Sequence, residues 1–211
     1  TLYIYQHGVV GSYFDVKSIY IGSGAYDRLV FDNSYHYRHM INNAVIPTPQ
    51  GLYFNGATSY LRSKEKVTLP DVFTFRCVVN CSNKNTTQML FAQGTSSSVS
   101  VPFYLIYRRL NTDTLVVYVT NGSSPLEAFL GVGFFTGLNN TDIDVIVETD
   151  FINKTTKVYR NGIQFGSVAS IPSMLKPVTD YIYFGDYVTG SGKLLGYMRN
   201  IQLFDTALTD T

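Results

Sequence analysis

The chain has 211 residues and a formal net charge of +1, from 16 Lys and Arg against 15 Asp and Glu. This near-balance excludes a dedicated nucleic-acid-binding protein, whose affinity depends on an excess of basic residues, and a hydrophobic content of 45% argues against disorder. Charged residues make up only 15%, while 17 Tyr and 14 Phe favour strands over helices. A weakly charged polar surface is typical of extracellular or virion-surface proteins, and we expect one of these locations.

Short alternating or apolar runs, separated by Gly, Asn, Asp, Ser and Pro, predict strands along the whole chain. No apolar stretch approaches the roughly 18 residues needed to cross a bilayer, so we expect no membrane insertion. The pattern is typical of an all-β protein built as a two-sheet antiparallel β-sandwich. The predicted strands are residues 2–6, 13–16, 18–21, 28–31, 51–54, 60–62, 72–80, 88–93, 103–108, 115–120, 142–149, 155–160, 181–184 and 196–204.

Turns and loops divide these strands. The pairs Asn55-Gly56 and Asn161-Gly162 predict hairpins, and Asn121-Gly122 is a further turn signal, because glycine accepts a positive φ. The longest predicted loops are residues 32–49, 94–101 and 121–140. A Gly-Ser-Gly segment at 22–24 suggests a weak boundary, so residues 1–25 are interpreted as an N-terminal β extension or a linker to a missing upstream part.

Two cysteines, Cys77 and Cys81, lie four residues apart on one predicted strand. Their Cα atoms are then ~13 Å apart on one face, beyond the ~7 Å limit of a disulfide. We therefore predict two free, buried thiols and no zinc site at this strand.

Three groups of segments, in their order along the chain, resemble the concanavalin A-like superfamily of jelly-roll domains, in its laminin-G-like or pentraxin-like branch. The family often has an aromatic-Asx-Gly opening, a strand ending in aromatic-x-Asn-Gly, and a Phe-Asp-x-x-Leu end. The resemblance implies a jelly roll over residues 26–211 and no single function, since members include lectins, protein-binding modules and glucanases. The matching segments are residues 51–61 with 69–75, 142–149 with 153–163, and 181–185 with 196–208.

A glycoside hydrolase of the glucanase type is one alternative that the resemblance raises. The nearest match to its carboxylate pattern is Asp142, Asp144 and Glu148, which share strand parity. A retaining enzyme needs two carboxyl groups ~5–5.5 Å apart in a cleft. Because the intervening residues are apolar, we instead expect these carboxylates on the outer face of the strand as solvated charges, and we expect no enzyme.

Residues 32–39 are predicted to form a loop that is rich in side chains able to bind a sugar. Its tyrosines offer flat faces for a sugar ring, its polar side chains offer hydrogen-bond donors, and its arginine could bind an acidic sugar carboxylate through two hydrogen bonds. The alternative is that the rings pack on the sandwich and the charges are solvated. The candidate ligand-binding residues here are Asn33, Tyr35, His36, Tyr37 and Arg38.

A second candidate binding position is Asp186 with Tyr187, at a junction between a strand and a loop. Calcium is commonly held by Asp, Asn and backbone oxygens at the rim of domains in this superfamily. Only Asp186, Asn55 and Asp32 stand out as donors here, fewer than the ~6–8 oxygen ligands that calcium takes, so we expect no resident cofactor.

Together these observations predict a non-enzymatic recognition domain that binds a cell-surface glycan or glycoprotein. The composition fits the attachment domain of a viral or phage fibre, or of a secreted adhesin, with weak single sites strengthened by multiple copies in a homo-oligomer. The alternative is a structural or interaction module of a virion or an extracellular multidomain protein, in which the tyrosine-rich loops are buried against another subunit.

Overall fold

The computed structural model describes the backbone of residues 12–16, 18–19 and 29–31, and it describes residues 40–82, 86–94, 102–120, 122, 125–170, 179–187 and 192–207. Within these ranges the chain is all-β, and no helix is long and apolar enough to cross a membrane. The strands are β1 Ser12–Val16, β2 Ser18–Ile19, β3 Leu29–Phe31, β4 Met40–Asn43, β5 Ile46–Thr48, β6 Gly51–Asn55, β7 Tyr60–Ser63, β8 Val72–Cys81, β9 Gln88–Gln93, β10 Phe103–Arg108, β11 Leu115–Thr120, β12 Pro125–Gly131, β13 Ile143–Asp150, β14 Thr155–Arg160, β15 Ile163–Gln164, β16 Ala169–Ser170, β17 Ile182–Phe184 and β18 Leu195–Phe204.

The strands form two antiparallel sheets packed as a sandwich, which confirms the predicted fold class. Sheet A has the order β15-β14-β13-β8-β18-β6-β5, with β1 also paired to β18 and β16 to β14. Sheet B has the order β12-β11-β10-β9-β17-β7-β4-β3-β2. The N-terminal strands therefore join both sheets, β1 beside β18 and β2 beside β3.

Several strands were predicted at their observed bounds, as for β9, β10, β11 and β14. Two predicted loops were wrong because each contains strands. Residues 32–49 include β4 and β5, and residues 121–140 include β12. These strands carry Asn, Pro and Gly, which are poor strand formers, and pairing with a neighbouring strand overrides that preference. The predicted strand at 2–6 and the boundary at 22–24 lie outside the described residues.

The two predicted hairpins have different outcomes. Asn161 and Gly162 adopt φ of 52° and 79° and join the paired strands β14 and β15, which confirms that hairpin. The Asn55-Gly56 hairpin was wrong, because β6 belongs to sheet A and β7 to sheet B. The Asn55 side chain instead accepts hydrogen bonds from the backbone N–H groups of Ala57, Thr58 and Ser59, and so shapes a crossover between the sheets.

Aromatic rings from both sheets meet in the core. Phe73 and Phe75 of β8 contact Phe91 of β9, with ring centroids 6.5 and 5.2 Å apart. Tyr104 of β10 lies edge-on to Phe73 at 5.3 Å and shares a hydrogen bond of 2.7 Å with the Thr149 hydroxyl of β13. Each of these rings is fully buried, so the two sheets share one continuous apolar layer.

The two cysteines are free and buried, as predicted. Burial raises the pKa of Cys77 well above its usual range and raises the pKa of Cys81 to about 12, against the opposing charge of Arg108. Burial likewise raises the pKa of Tyr104, which its hydrogen bond to Thr149 only partly offsets. These three groups therefore stay protonated and neutral in the folded chain at neutral pH.

Among the described glycines, Gly196 would have the shortest contact with an added Cβ, because β8 and β18 approach closely there. Its φ is +143°, and a Cβ there would lie 1.9 Å from the Asn80 carbonyl oxygen. We expect Gly196→Ala to lower the free energy of unfolding by more than about 3 kcal/mol, since it adds overlap to backbone strain. Gly137→Ala is the matched control, because Gly137 also has a positive φ but meets nothing within 4 Å, and we expect a loss of about 1 kcal/mol. Urea unfolding midpoints measure both, and equal losses would contradict the proposed overlap.

The buried acids predict a loss of stability at alkaline pH. In the unfolded chain thiols ionise near pH ~8.5 and phenols near pH ~10, whereas in the folded chain all three stay protonated to higher pH. Above these values the unfolded state therefore binds fewer protons, and the free energy of unfolding falls as pH rises. Urea midpoints at pH 7.5 and 10.5 should show a clear drop, and Tyr104→Phe should make the drop smaller. A midpoint that does not change with pH would refute this.

Candidate functional site

The candidate loop at 32–39 lies outside the described residues, so Asn33, Tyr35, His36, Tyr37 and Arg38 remain a prediction. The segment enters sheet B at Met40, which pairs with Ser63 at the end of β7.

Asp186 and Tyr187 are both buried, at 4% and 2% exposure. The Asp186 carboxylate accepts a hydrogen bond from the Tyr187 backbone N–H at 2.7 Å and forms an ion pair with Lys193. The Tyr187 ring packs against Phe103 at 5.8 Å. Both residues therefore have structural partners, and their role in ligand binding stays a prediction.

The predicted calcium donors are engaged within the protein where they are described. Asn55 shapes the crossover after β6, and Asp186 is neutralised by Lys193. Asp32 lies outside the described residues, and in the part of the chain that is described no group of three or more His, Cys, Asp or Glu could hold a metal ion.

The three carboxylates of the hydrolase alternative lie on the outer face of sheet A, and each has a cation beside it. Asp142 pairs with Arg199 at 2.8 Å, and Asp144 pairs with Arg76 at 2.8 Å. The expectation that all three are solvated was wrong for Glu148, which is only 5% exposed. Its cross-strand partner Lys157 and the neighbouring Tyr159 cover it, at 3.9 and 3.4 Å.

The outward face of sheet B carries a second apolar cluster, separate from the core. Alternate residues of its strands point to opposite faces, and many of those opposite the core are aromatic or aliphatic, with charged side chains such as Arg62 beside them. Six side chains of the cluster are buried, and four tyrosines are partly exposed. We call this surface the tyrosine face: Tyr60, Met89, Ala92, Phe103, Leu105, Tyr107, Tyr118, Tyr181, Tyr183 and Tyr187.

Strand register sets these side chains in rows across the sheet. Tyr183 of β17 lies opposite Arg62 of β7 on one side and Ala92 of β9 on the other. Leu105 of β10 lies opposite Ala92 and also opposite Tyr118 of β11. One cross-strand row therefore runs from Arg62 to Tyr118, four strand spacings of ~4.8 Å or roughly 19 Å.

The rings of the tyrosine face contact one another and a cation. Tyr60 and Tyr183 lie 6.2 Å apart, and Phe103 stacks on Tyr118 at 5.7 Å. The Arg62 guanidinium lies 4.7 Å from the centre of the Tyr181 ring. Burial raises the pKa of Tyr183, and the charge of Arg62 and its hydrogen bond to the Tyr183 side chain oppose that rise only in part. The Tyr183 hydroxyl therefore accepts a hydrogen bond from Arg62 and keeps its own proton at neutral pH.

Of the residues on this face only Tyr187 was among the predicted site residues, although the sequence carries a signal for the whole face. Strands β10 and β17 are apolar or aromatic at both parities, a pattern typical of strands covered on both faces. A strand at the surface of a two-layer sandwich normally alternates with polar residues. The unbroken pattern therefore marks a sheet that is apolar on both faces.

A second apolar surface lies where the edges of the two sheets meet. A groove of about 390 Å³ runs beside the end of β12 and the segment after β15, with Phe129 and Phe165 among its lining residues. The exposed aliphatic side chains near it are Leu130, Val132, Ile163 and Val168. We call this surface the apolar edge.

No protein-family model matches the chain, and no curated protein matches it in sequence. Solved structures do match its fold. A receptor-binding domain of botulinum neurotoxin serotype D, in complex with N-acetylneuraminic acid, aligns with a TM-score of 0.67 and 11% identity over 95% of this chain and 48% of that one. A structure of botulinum neurotoxin type C, whose cell entry is dependent upon interaction with two ganglioside molecules, aligns with a TM-score of 0.63 and 11% identity over 95% of this chain and 49% of that one. The chain thus spans about half of these toxin domains.

A third similar structure matches over most of both chains. It is domain 4 of AbnA, an extracellular GH43 arabinanase from Geobacillus stearothermophilus, in complex with arabinotriose. The TM-score is 0.67 and the identity 14%, over 85% of this chain and 88% of that domain. At such identities the likeness establishes a shared β-sandwich fold.

The ion pair with Lys193 predicts that Asp186 stabilises the fold, and this role can be tested separately from ligand binding. We expect Asp186→Ala to lower the free energy of unfolding by about 2–3 kcal/mol, because it leaves the Lys193 ammonium and the Tyr187 N–H without their acceptor. Asp186→Asn keeps an acceptor for that N–H and should cost less. Thermal and urea unfolding of the two variants test this, and equal stability of Asp186→Ala and the parent would refute it.

Proposed function

We propose that the chain is a non-enzymatic recognition domain that binds cell-surface carbohydrate through the tyrosine face. The observation that carries this proposal is the set of four partly exposed tyrosines, Tyr60, Tyr107, Tyr118 and Tyr181, on the outer face of a rigid sheet.

The chemistry of these side chains suits a sugar. A pyranose ring has an apolar face of C–H groups and a rim of hydroxyls, and a tyrosine offers a flat apolar ring with a polar hydroxyl at its tip. Arg62 and Lys66 add hydrogen-bond donors beside Tyr181. Because strands hold the rings, little conformational entropy is lost when a ligand is bound.

The similar structures support the proposed class of ligand, a carbohydrate. Two of these domains are described with N-acetylneuraminic acid or with gangliosides, and a third with arabinotriose. The ion-paired carboxylates on sheet A favour recognition over hydrolysis, since each is already neutralised by a neighbouring cation.

The order of the matching segments supports a place for the sandwich in the laminin-G-like branch of the concanavalin A-like superfamily. With the low charge of the chain, it also supports an extracellular or virion-surface role, as the attachment domain of a viral or phage fibre or of a secreted adhesin. Several copies in one assembly would raise the effective affinity of weak single sites.

The apolar edge favours a second candidate function, that of an interaction module. Val132 and Ile163 are 70% and 75% exposed, and exposed apolar side chains close together on a surface often mark a protein contact. A module of this type would associate with a second copy through this edge. It would then bind no saccharide, and static light scattering would show an oligomer that Val132→Lys dissociates.

A glycan array with the purified chain, with and without calcium, tests the proposed function. We expect selective binding, and we expect Tyr181→Ala to weaken it at least about tenfold, a loss of ~1.4 kcal/mol, because the variant removes a stacking ring. Tyr53→Ala is the matched control, since Tyr53 is a partly exposed tyrosine on the outer face of sheet A, paired with Tyr197 at 5.1 Å.

The outcomes separate the alternatives. Binding lost only in Tyr53→Ala would move the site to sheet A, and binding lost only in Tyr37→Ala or Arg38→Ala would move it to the loop at 32–39. Absence of binding to every saccharide, together with self-association, would overturn the recognition proposal in favour of the interaction module.

A further inference from the structure

Arg62 occupies one end of the row across the tyrosine face. It lies on β7, opposite Ile41 of β4 and Tyr183 of β17, and it is half-buried. Its guanidinium carbon is 4.7 Å from the centre of the Tyr181 ring, and the Lys66 ammonium is 5.6 Å from the same centre. Two positive charges therefore lie against one aromatic ring.

The described arginines differ in how their charge is compensated. Arg76, Arg108, Arg109 and Arg199 each pair with a carboxylate, and Arg160 donates to the Phe134 carbonyl oxygen.

Arg62 has no carboxylate partner among the described residues, and its buried Nε finds no hydrogen-bond acceptor there. A partly desolvated cation without a counter-charge is costly, so the site gains free energy when an anion arrives.

One carboxylate beside this region already has partners. Asp180 is 5% exposed, its Oδ1 accepts the Tyr181 backbone N–H at 2.8 Å, and the same oxygen lies 3.6 Å from the Lys66 ammonium. Among the ion pairs of the described residues, Asp180 compensates Lys66 and none compensates Arg62, which leaves one positive charge in excess beside the Tyr181 ring.

We propose that the ligand of the tyrosine face is an acidic saccharide whose carboxylate group is bound by Arg62. This inference rests on the proposed function and specifies the class of glycan that the same site takes. The planar guanidinium matches a carboxylate through two parallel hydrogen bonds, and its contact with the Tyr181 ring at 4.7 Å holds the group beside the tyrosine face. Lys66 adds a second positive charge, and the protonated Tyr183 hydroxyl adds a donor.

The proposal predicts that binding depends on the sugar carboxylate and on Arg62 jointly. The test is titration calorimetry with three matched saccharides. They are a sialylated oligosaccharide, the same molecule with its carboxylate reduced to an alcohol, and an otherwise neutral counterpart that carries a sulfate group. We expect the parent chain to bind the carboxylated sugar at least about tenfold more tightly than the reduced one. Arg62→Gln should abolish this preference, so that the variant binds the carboxylated and the reduced sugar about equally.

Two further variants complete the design. Arg62→Lys keeps the charge but loses the planar fork, so we expect it to restore only part of the preference. Arg199→Gln is the matched control on the opposite sheet, because Arg199 is an exposed arginine that already has a carboxylate partner, Asp142. If Arg62→Gln does not fold, the comparison of the carboxylated and reduced sugars on the parent chain still decides the question.

Each result bears on a different claim. Equal binding of carboxylated and reduced sugars would overturn the acidic-saccharide inference and leave carbohydrate recognition standing. A preference for the sulfated sugar alone would also overturn the carboxylate assignment. Absence of binding to all three, and to every glycan on the array, would overturn the proposed function itself.

Discussion

The contact between Phe73 and Phe75 of one sheet and Phe91 and Tyr104 of the other is the interaction on which the rest of the molecule depends. Aromatic side chains bury large areas, and here they interlock across the gap between two sheets. Because this layer holds each sheet by its inner face, it fixes the register and the exposure of every residue on the two outer faces. The candidate site is therefore a consequence of the core.

The two outer faces have opposite chemistry. The outer face of sheet A carries carboxylates and cations that neutralise one another, as in Arg76 with Asp144 and Arg199 with Asp142. Such a surface is largely satisfied by itself and by water. The outer face of sheet B carries tyrosines and an arginine without a carboxylate partner among the described residues. A surface of that kind gains from contact with a partner that has both apolar and anionic groups.

The sequence predicted the fold from alternation and turn residues, and it predicted less of the site. The local residue pattern was enough to predict four strands, β9, β10, β11 and β14. It was not enough for β4, β5 and β12, because these strands depend on pairing with a neighbouring strand. Asn55-Gly56 was misread because a positive φ at glycine marks a turn but not which sheet the chain enters next. Tyr187 was among the predicted residues, yet its neighbours Tyr60, Tyr118 and Tyr181 come together only through strand order, which no single segment contains.

The pairing of β18 has a consequence for the order in which the molecule is assembled. This strand forms hydrogen bonds with β8 along most of its length, with β6 at its start and with β1 at its end. Sheet A therefore lacks its central strand until a segment near residue 200 is available. During synthesis, one edge of β8 stays unpaired while more than half of the chain leaves the ribosome. Pairing of β8 with β18 then closes a long loop, and the entropy cost of closing it slows the pairing. A nascent chain with this topology exposes a long strand edge until β18 is available, and exposed strand edges promote aggregation.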